Sequence, residues 1–517
     1  MMHLLRIVSG LTALVFLSAT TLAGTIYVDQ SNPNCPGSGT LGDPYCTIQL
    51  AIDNAVSGDV IEVAPGTYNE SPKVNGLVLT IRGTQGRDVT TVQGDGTQPV
   101  FTATSDAELT IEGLTVTGGL GDGGAVRCSS CALTVTNSTL TGNFANNAGG
   151  AIYFAGSTGK KLTVTGSTIS NNYAFGGGGA FFLLNGAGEI EDSLIQSNTA
   201  TQGGAVASGA DELLTITSSV IRNNSASVSG GFLFMNNAGG LTMTNSTVSG
   251  NTAGNGGAVI QSFNSLINGA TSITNSTLTG NLGGVNPFTF FGSAQQTVTF
   301  TNAILWNHTS PLFYGGTPNV SFSDVEGGFP GSGNINADPK FLDAPNGDYR
   351  LAYDSPCIDA GFNFLPLPST DIEGDARKVD GDSNGATTID MGSDEFDVLW
   401  KVNLPAAGNY NFTAMNPPGQ AGNIALLLLS LGDGSASGGI PIPLSGGQKI
   451  QLDPDQLFSS WLSSFLPIGT VALNTFPSTT SAIPSTPGFT VYYAGVMIDL
   501  GTGKIPIVTP THSYVTQ

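Results

Sequence analysis

The sequence contains a repeated phrase, and this repeat limits the possible folds more than any other feature. One copy reads Leu-Thr-Val-Thr-Asn-Ser-Thr-Leu-Thr-Gly-Asn over residues 133–143, followed by Gly149-Gly150-Ala151. Its serine recurs at positions 138, 167, 193, 219, 246 and 276, at spacings of 29, 26, 26, 27 and 30 residues. Ala303 continues the series after a further 27 residues. A period between about 20 and 50 residues is typical of solenoids, propellers and repeat arrays.

Two positions are apolar in every copy when the repeats are aligned on this serine. Three residues before it stand Ile111, Val135, Val164, Ile190, Ile216, Met243, Ile273 and Phe300. Two residues after it stand Val116, Leu140, Ile169, Ile195, Ile221, Val248, Leu278 and Leu305. The two positions are five residues apart. A straight strand has period two and could not place both on one face, so we expect the chain to bend between them.

The position directly before the serine is the expected bend. It is filled by Asn137, Gly166, Asp192, Ser218, Asn245, Asn275 and Asn302. Asn, Asp and Gly tolerate a left-handed backbone, which a one-residue corner needs. Short strand, corner, short strand and glycine-rich turn together predict one coil of a right-handed parallel β-helix, an all-β fold. About nine or ten coils stacked at ~4.8 Å would form a rod of roughly 45 Å.

Composition and charge restrict the partners of such a rod. The chain of 517 residues has 72 Gly and only 10% charged residues, which suits tight turns between short strands. Its net charge is −22 and its pI about 4.1. This charge repels nucleic acid and anionic membranes, so no nucleic-acid partner is expected. It also disfavours a binding groove for polyanionic sugars unless cations intervene.

The N-terminus predicts export. Arg6, an apolar run over residues 7–17 and Thr21-Leu22-Ala23 match a secretory signal that is cleaved after Ala23. We therefore expect a secreted or cell-surface protein of the bacterial envelope or exterior, with no transmembrane helix in the mature chain.

The five cysteines agree with export. Cys35 and Cys46 flank a loop rich in Gly and Pro and predict a disulfide. Cys128 and Cys131 form either a local disulfide or two buried thiols, because no second CxxC is present to complete a zinc site. Cys357 is left over.

The chain divides into five predicted segments. They are the signal peptide (1–23), an N-terminal strand and helix cap (24–75), the parallel β-helix (76–335), a closing acidic motif (336–396) and a β-sandwich-like C-terminal domain (397–517). The cap carries Ile48, Ala51 and Ile52 on one face of a short helix, which would cover the open end of the stack.

The closing segment carries a series of motifs that breaks the period. They read DPKF at 338–341, DYRL at 348–351, SPCIDAG at 355–361, DIEGD at 371–375 and IDMGSDEF at 389–396. This series resembles the closing motif of bacterial exported β-helix proteins of the choice-of-anchor Q domain type. The Gly-Gly-Ala coils are similar to the GGAI-type repeats of polymorphic outer-membrane proteins. The resemblance covers residues 25–396, implies a secreted or cell-surface protein and assigns no chemistry.

Candidates for catalysis are few. The stretch 223–323 contains no Asp, Glu, Lys or Arg, and we interpret its His308 as a surface histidine with satisfied hydrogen bonds. Polysaccharide lyases and hydrolases need a carboxylate pair or a base beside the sugar. Glu189 and Glu191, with Arg222, are the weak candidates on the coils. A solvated face is the simpler interpretation.

Two further ladders are expected on the coils. Thr134, Thr136, Thr163, Thr165 and their equivalents would form a double outward column, which either resembles an ice-binding face or reflects the preference of Thr for exposed strands. The asparagines at 143, 172, 198, 224, 251 and 281 predict a stacked ladder whose amides satisfy backbone groups.

One acidic loop predicts a possible calcium site. Asp380, Asp382 and Asn384 occupy alternate positions before Gly385, as in an EF-like loop. Met391 stands where that loop needs a carboxylate, and Asp390 lies one residue early. The sequence therefore leaves two alternatives, a looser Ca²⁺ turn and an unliganded acidic loop.

The sequence thus favours a non-enzymatic exported β-helix protein, adhesin-like or structural in the envelope, with extracellular polysaccharide or an envelope surface as its partner. The alternative is a β-helix that binds or degrades carbohydrate.

Overall fold

The computed structural model describes most of residues 23–396 and the strands that follow. The described ranges are 23–157, 159–209, 213–236, 239–262, 270–284, 290–291, 297–308, 312–315, 317–352, 354–363, 368–379, 381 and 386–396, with the backbone of eight strands between 410 and 515. The predicted signal peptide, apart from Ala23, lies outside the described residues. So do Asp380, Asp382, Asn384 and Gly385 of the predicted calcium loop.

The chain consists of two compact units. The first comprises residues 1–273, 278–299 and 307–319, and the second comprises residues 274–277, 300–306 and 320–517. The predicted domain boundaries are not tested by this division and stay predictions.

The first unit is a parallel β-helix built from four sheets, which we number. The first sheet has the strands Thr25–Val28, Val60–Val63, Val78–Gly83, Glu108–Glu112, Ala132–Thr136, Lys161–Thr165, Ala187–Glu191, Leu213–Thr217, Gly240–Thr244 and Thr271–Thr274. The second has Gly66–Asn69, Thr90–Gln93, Thr115–Thr117, Thr139–Thr141, Thr168–Ser170, Leu194–Gln196, Val220–Arg222, Thr247–Ser249 and Thr277–Thr279. The first sheet also contains Thr297–Thr301 and Thr317–Ser321. These two strands, together with Thr271–Thr274 and Thr277–Thr279, include residues of both units.

The other two sheets complete each coil. The third is 10-stranded, with Lys73–Asn75, Phe101–Thr104, Val126–Ser129, Ile152–Ala155, Phe181–Leu184, Val206–Ser208, Leu233–Met235, Ile260–Ser262, Phe290–Phe291 and Phe313–Tyr314. The fourth is 6-stranded, with Phe144–Ala145, Tyr173–Ala174, Thr199–Gln202, Ser225–Ser229, Thr252–Ala253 and Leu282–Gly283. Neighbouring strands pair in parallel, for example Val135 with Val164 and Leu140 with Ile169. The predicted parallel β-helix is confirmed.

The predicted corners are present. All seven corner residues have positive φ, between 45° at Asn275 and 59° at Gly166. Asn and Asp hold this conformation at lower cost than β-branched residues, which explains why they fill the position. The glycine pairs serve a second turn. At Gly178, φ is +70° and a methyl group would overlap the Phe181 carbonyl oxygen, so only glycine fits there.

The predicted core columns line the inside of the coils. Val135, Val164 and Ile216 are fully buried, as are Leu140, Ile169 and Ile195. Each rung places these side chains directly above those of the preceding rung, so the core is a set of continuous apolar stacks.

Polar ladders run beside the apolar stacks. The Asn143 backbone N–H and its Nδ2 both donate to Oδ1 of Asn172 at 3.0 Å, and the same pattern repeats from Asn172 to Asn281. Asn198 Nδ2 also donates to the Ile169 carbonyl at 2.9 Å. A serine ladder links Ser138, Ser167, Ser193 and Ser219, because the backbone N–H of each serine donates to Oγ of the next one. These bonds satisfy buried backbone groups at the turns, as the asparagine spacing predicts.

The N-terminal end contains a short helix and a disulfide. Helix Ile48–Asp53 is capped by Thr47, whose Oγ1 accepts from Leu50 N at 3.2 Å, and it buries Ile48, Ala51 and Ile52. Cys35 and Cys46, the pair for which the sequence predicts a disulfide, form one with a Cα–Cα distance of 5.7 Å. Cys128 and Cys131 form a second, which decides between the two alternatives for that pair.

The second unit has little regular structure before residue 396. Ile304–Trp306 pairs in parallel with Asp324–Val325, and Phe341–Asp343 pairs antiparallel with Asp348–Leu351 around the 3-10 helix Ala344–Asn346. Ile304, Leu351, Cys357 and Met391 form its buried apolar cluster.

The C-terminal region contributes antiparallel strands to the second unit. They are Tyr410–Phe412, Asn423–Ser430, Ile440–Pro443, Lys449–Leu452, Ser481–Ile483, Thr490–Asp499, Lys504–Val508 and His512–Val515. Asn423–Ser430 pairs with Thr490–Asp499. The predicted β-sandwich stays a prediction. No helix within the described ranges is long and apolar enough to cross a membrane.

Candidate functional site: an aromatic patch on two coils

The outward face of the first sheet carries the predicted double column of threonines. Thr134 aligns with Thr110 and Thr163, and Thr136 aligns with Thr165. Glu189 and Glu191 interrupt both columns on the strand Ala187–Glu191. The array is therefore a mixed polar surface of exposed strands.

The catalytic candidates occupy two different sheets. Glu189 Oε2 lies 2.7 Å from Lys161 Nζ on the neighbouring strand of the first sheet. Arg222 belongs to the second sheet, where its Nε donates to Gln196 Oε1 at 3.0 Å. Each of these two side chains is held by its own neighbour. The structure places Glu189 and Glu191 on one strand but does not bring Arg222 to it.

His308 is more enclosed than the sequence analysis expects. Its side chain is half-buried, and Nε2 lies 2.9 Å from the Leu278 carbonyl oxygen. Burial lowers the pKa of His308 to about 4. The imidazole is therefore neutral near pH 7, with its ring held by a backbone carbonyl.

The acids of the closing segment are organised by hydrogen bonds. Asp371 Oδ1 accepts from Glu373 N and Asp375 N, both at 2.9 Å, and its Oδ2 accepts from Glu395 N at 2.9 Å. Asp394 Oδ2 accepts from Leu351 N at 2.9 Å. Backbone amides thus offset part of the repulsion among these carboxylates.

Asp390, the one predicted calcium ligand within the described residues, is buried. Its Oδ1 accepts from Asp359 N at 2.7 Å and its Oδ2 from Phe396 N at 2.6 Å. Both oxygens therefore already have backbone partners. The described residues hold no group of three or more His, Cys, Asp or Glu that could bind a metal ion. The other predicted ligands lie outside those residues, so the calcium site stays a prediction.

Burial strongly affects the titration of this segment. Burial raises the pKa of Asp390 to about 7, and burial together with the Asp390 charge raises the pKa of Glu395 to about 9. Arg377 is also buried, with Nη1 3.8 Å from Glu395 Oε2. Burial raises the pKa of Asp324 to about 6, and Asp324 Oδ2 accepts from the buried Cys357 thiol at 3.4 Å. Burial also raises the pKa of that thiol, which leaves it unreactive.

A different feature departs from the repeat on the coils between residues 144 and 182. Four aromatic side chains stand in the outward columns of the third and fourth sheets on two successive coils, and Phe175 directly follows the strand Tyr173–Ala174. We call this group the aromatic patch: Phe144, Tyr153, Tyr173, Phe175 and Phe182. On the next coil, the same columns hold Thr199 in place of Tyr173 and Ala207 in place of Phe182. The third-sheet column is aromatic again at Phe234, two coils after Phe182.

The fourth-sheet half of the patch is the more exposed. Phe144 and Tyr173 stack with ring centroids 5.1 Å apart and planes at 12°. Phe175 stands perpendicular to both, with its centroid 5.3 Å from Phe144 and 5.4 Å from Tyr173. Because the Phe175 ring is nearly equidistant from the Phe144 and Tyr173 rings, it spans the two rungs that carry them. It is 58% exposed, the largest fraction for an aromatic side chain in the described part of the chain.

The third-sheet half is a shorter stack with a cation at its end. Tyr153 and Phe182 stack with centroids 5.5 Å apart and planes at 9°. The guanidinium carbon of Arg127, on the preceding coil, lies 5.5 Å from the Tyr153 ring centroid. Arg127 is exposed and takes part in none of the ion pairs found among the described residues.

A glycine turn connects the two halves. A methyl group at Gly177 would lie 3.4 Å from Phe182 Cδ2, and Gly177 follows Phe175 by two residues. The segment 175–177 therefore joins the two halves of the patch, from Phe175 in the fourth-sheet half to the edge of the Phe182 ring in the third-sheet half.

The repeat pattern does not predict this patch. The available signal was the spacing, because Phe144 to Tyr173 and Tyr153 to Phe182 are both 29 residues, the length of that coil. Two aromatic pairs separated by one coil must stack on neighbouring rungs.

Comparisons with known proteins agree with the fold. Residues 100–278 match the family model described as "right handed beta helix region", which supplies the predicted handedness. The sequence has no match among curated proteins.

Solved structures give weaker similarities. A pectate lyase, Pel9A, is 16% identical with a TM-score of 0.46, over 73% of this chain and 97% of that one. A mutant pectin methylesterase in complex with hexasaccharide IV is 14% identical with a TM-score of 0.29, over 66% and 98% of the two chains. XylC, solved with xylose, is 11% identical with a TM-score of 0.30, over 62% and 87%. At these identities and TM-scores, none of the three bears on activity. The chain is a right-handed parallel β-helix repeat protein.

Proposed function

We propose that this chain is a non-enzymatic, exported β-helix protein that binds extracellular polysaccharide or an envelope surface, in the manner of an adhesin. The observation that carries the proposal is the aromatic patch. Exposed aromatic clusters on a rigid sheet are typical of contact surfaces, because they offer large apolar area at low entropic cost. The repeat alone does not require aromatic residues at these positions.

The state of the catalytic candidates supports binding over turnover. A glycosidase needs one carboxylate free to attack or to accept a proton and a second to donate one. Glu189 is instead engaged by Lys161. Arg222 donates to Gln196, and both lie on the second sheet, whereas Glu189 lies on the first. An enzymatic alternative would have to displace Lys161 from Glu189 and use Glu189 together with Glu191 on the same strand.

The cysteines support the proposed location. Disulfides persist in oxidising compartments and are rare in the cytosol. The described residues contain two, Cys35–Cys46 and Cys128–Cys131. Together with the predicted signal peptide, they support a secreted or cell-surface protein. The closing motifs further support an assignment to the choice-of-anchor Q type, with GGAI-like coils.

A glycan array combined with an activity assay tests the proposal. Labelled full-length chain is incubated with immobilised polysaccharides, and both retention and newly formed sugar ends are measured. We expect retention without release of sugar. Release that disappears in Glu189→Gln, Glu191→Gln or Arg222→Ala would overturn the proposal and support the enzymatic alternative.

A further inference from the structure

We propose that the aromatic patch binds a neutral, extended polysaccharide chain that lies along the stacking direction of the coils. This inference rests on the proposed function and deepens it, since it names the ligand class and the residues. The central contact is the Phe175 ring, and Arg127 at the end of the Tyr153–Phe182 stack supplies hydrogen bonds to sugar hydroxyls.

The ring geometry favours a sugar polymer. A pyranose ring has an apolar face of C–H groups, and an aromatic ring attracts them through its negative face. Phe175 spans two rungs, so its exposed ring extends parallel to the stacking direction. Rungs repeat every ~4.8 Å, which is close to the rise per sugar of an extended β-1,4-linked chain. Successive sugars can therefore meet equivalent positions on successive coils.

The charge of the molecule selects a neutral chain. The five aromatic residues carry no charge, and the net charge of −22 repels polyanions at a distance. The guanidinium carbon of Arg127 lies 5.5 Å from the Tyr153 ring centroid, and a guanidinium offers several N–H donors in one plane. A hydroxyl-rich ligand can accept from these donors without bringing further negative charge to the rod.

A second copy of this chain fits the patch less well. A stable protein interface takes about 20–30 residues on each side, whereas the patch has five aromatic residues and one arginine. Two copies would also repel each other at a distance, because each whole chain carries a net charge of −22. A single polysaccharide strand needs only a narrow, uncharged track.

Affinity electrophoresis of the full-length chain tests the inference. Native gels contain hydroxyethyl cellulose or mixed-linkage β-glucan as neutral extended probes, dextran as a flexible neutral probe, and polygalacturonate or alginate as anionic probes. We expect retardation by the first group only, unchanged between low and high salt. Phe175→Ala should weaken it about tenfold or more, and Phe175→Trp should preserve it. Arg127→Gln should weaken it several-fold.

A matched control variant is Leu282→Ala. Leu282 lies on the same sheet, in the same outward column as Tyr173, and is 52% exposed. It should leave retardation and melting temperature unchanged. Melting of Phe175→Ala must also match the wild type, so that lost binding reports the contact and not unfolding.

The outcomes separate this inference from the proposed function. Equal retardation by dextran, salt-sensitive binding to polygalacturonate or alginate, or undiminished binding by Phe175→Ala would each overturn the inference. If the array retains the chain only on acidic glycans, the proposed function stands and the inference fails. Sugar release that depends on Glu189 overturns both.

Discussion

The coils between residues 100 and 280 and the closing segment between 320 and 396 bury their polar groups in different ways. The coils repeat one arrangement, since each asparagine from Asn172 to Asn281 accepts from the backbone N–H of the preceding ladder asparagine and donates to a backbone carbonyl of an earlier coil. The closing segment uses single, long-range contacts such as Asp394 with Leu351 N and Arg377 with Glu395. Because the asparagine ladder is uncharged, we expect the stability of the coils to be insensitive to pH. The buried carboxylates should make the stability of the closing segment sensitive to pH.

This difference also decides what the sequence can predict. The corner at Asn137 and the columns of Val135 and Leu140 were predictable, because every coil repeats the same local chemistry. The Arg377–Glu395 contact joins residues that no period relates, so it could not be anticipated. The aromatic patch lay between these cases. It obeys the 29-residue spacing of one coil but appears on too few coils to form a motif.

The largest effect should come from a charge placed in the coil stack. Val135→Asp puts an unpaired carboxylate among fully buried side chains, and we expect a loss of more than about 4 kcal/mol in the free energy of unfolding. Thr134→Asp, one residue earlier on the outward face, should change it by less than about 0.5 kcal/mol. Denaturant unfolding of the two variants compares them. Similar stabilities would show that the inward assignment is wrong.

A smaller effect is expected from breaking the asparagine ladder. Asn198→Ala removes the acceptor of Asn172 N and the donor to the Ile169 carbonyl. Two unsatisfied buried groups should cost about 2–4 kcal/mol. Asn146→Ala, at an exposed position three residues after the ladder residue Asn143, is the control and should be nearly neutral. A neutral Asn198→Ala would mean that water replaces the ladder and that the coils owe little to it.

The pH response should separate the two regions. The pKa values of Asp324, Asp390 and Glu395 are raised to about 6, 7 and 9, so the folded state holds their protons more tightly than the unfolded state does. Their contribution to stability is fully present below about pH 4, where the unfolded carboxyls are also protonated. It is lost as pH rises from there through the folded values of about 6 to 9. Hydrogen exchange, corrected for its intrinsic pH dependence, should show increasing opening of residues 320–396 over this range and little change in the coils. Glu395→Gln should reduce the slope, and a uniform response of both regions would refute the distinction.

The smallest expected effect concerns calcium. If Asp380, Asp382 and Asn384 bind Ca²⁺ as their spacing predicts, millimolar calcium should raise the melting temperature slightly and slow proteolysis near residue 385. Asp380→Ala combined with Asp382→Ala should remove both effects. The stability of Val135→Asp relative to wild type should not depend on calcium. If neither calcium nor a chelator changes melting or proteolysis, the loop is an acidic turn that binds no calcium.

A co-crystal structure of the full-length chain with a neutral β-1,4-linked oligosaccharide tests the central claim most directly, because it locates the sugar without relying on any variant. The account predicts sugar rings against Phe175, with the oligosaccharide running along the stacked coils past Phe144 and Tyr173. It also predicts an intact ligand. A sugar bound instead over Glu189 and Glu191, with Lys161 displaced from Glu189 or the glycosidic bond cleaved, would contradict it.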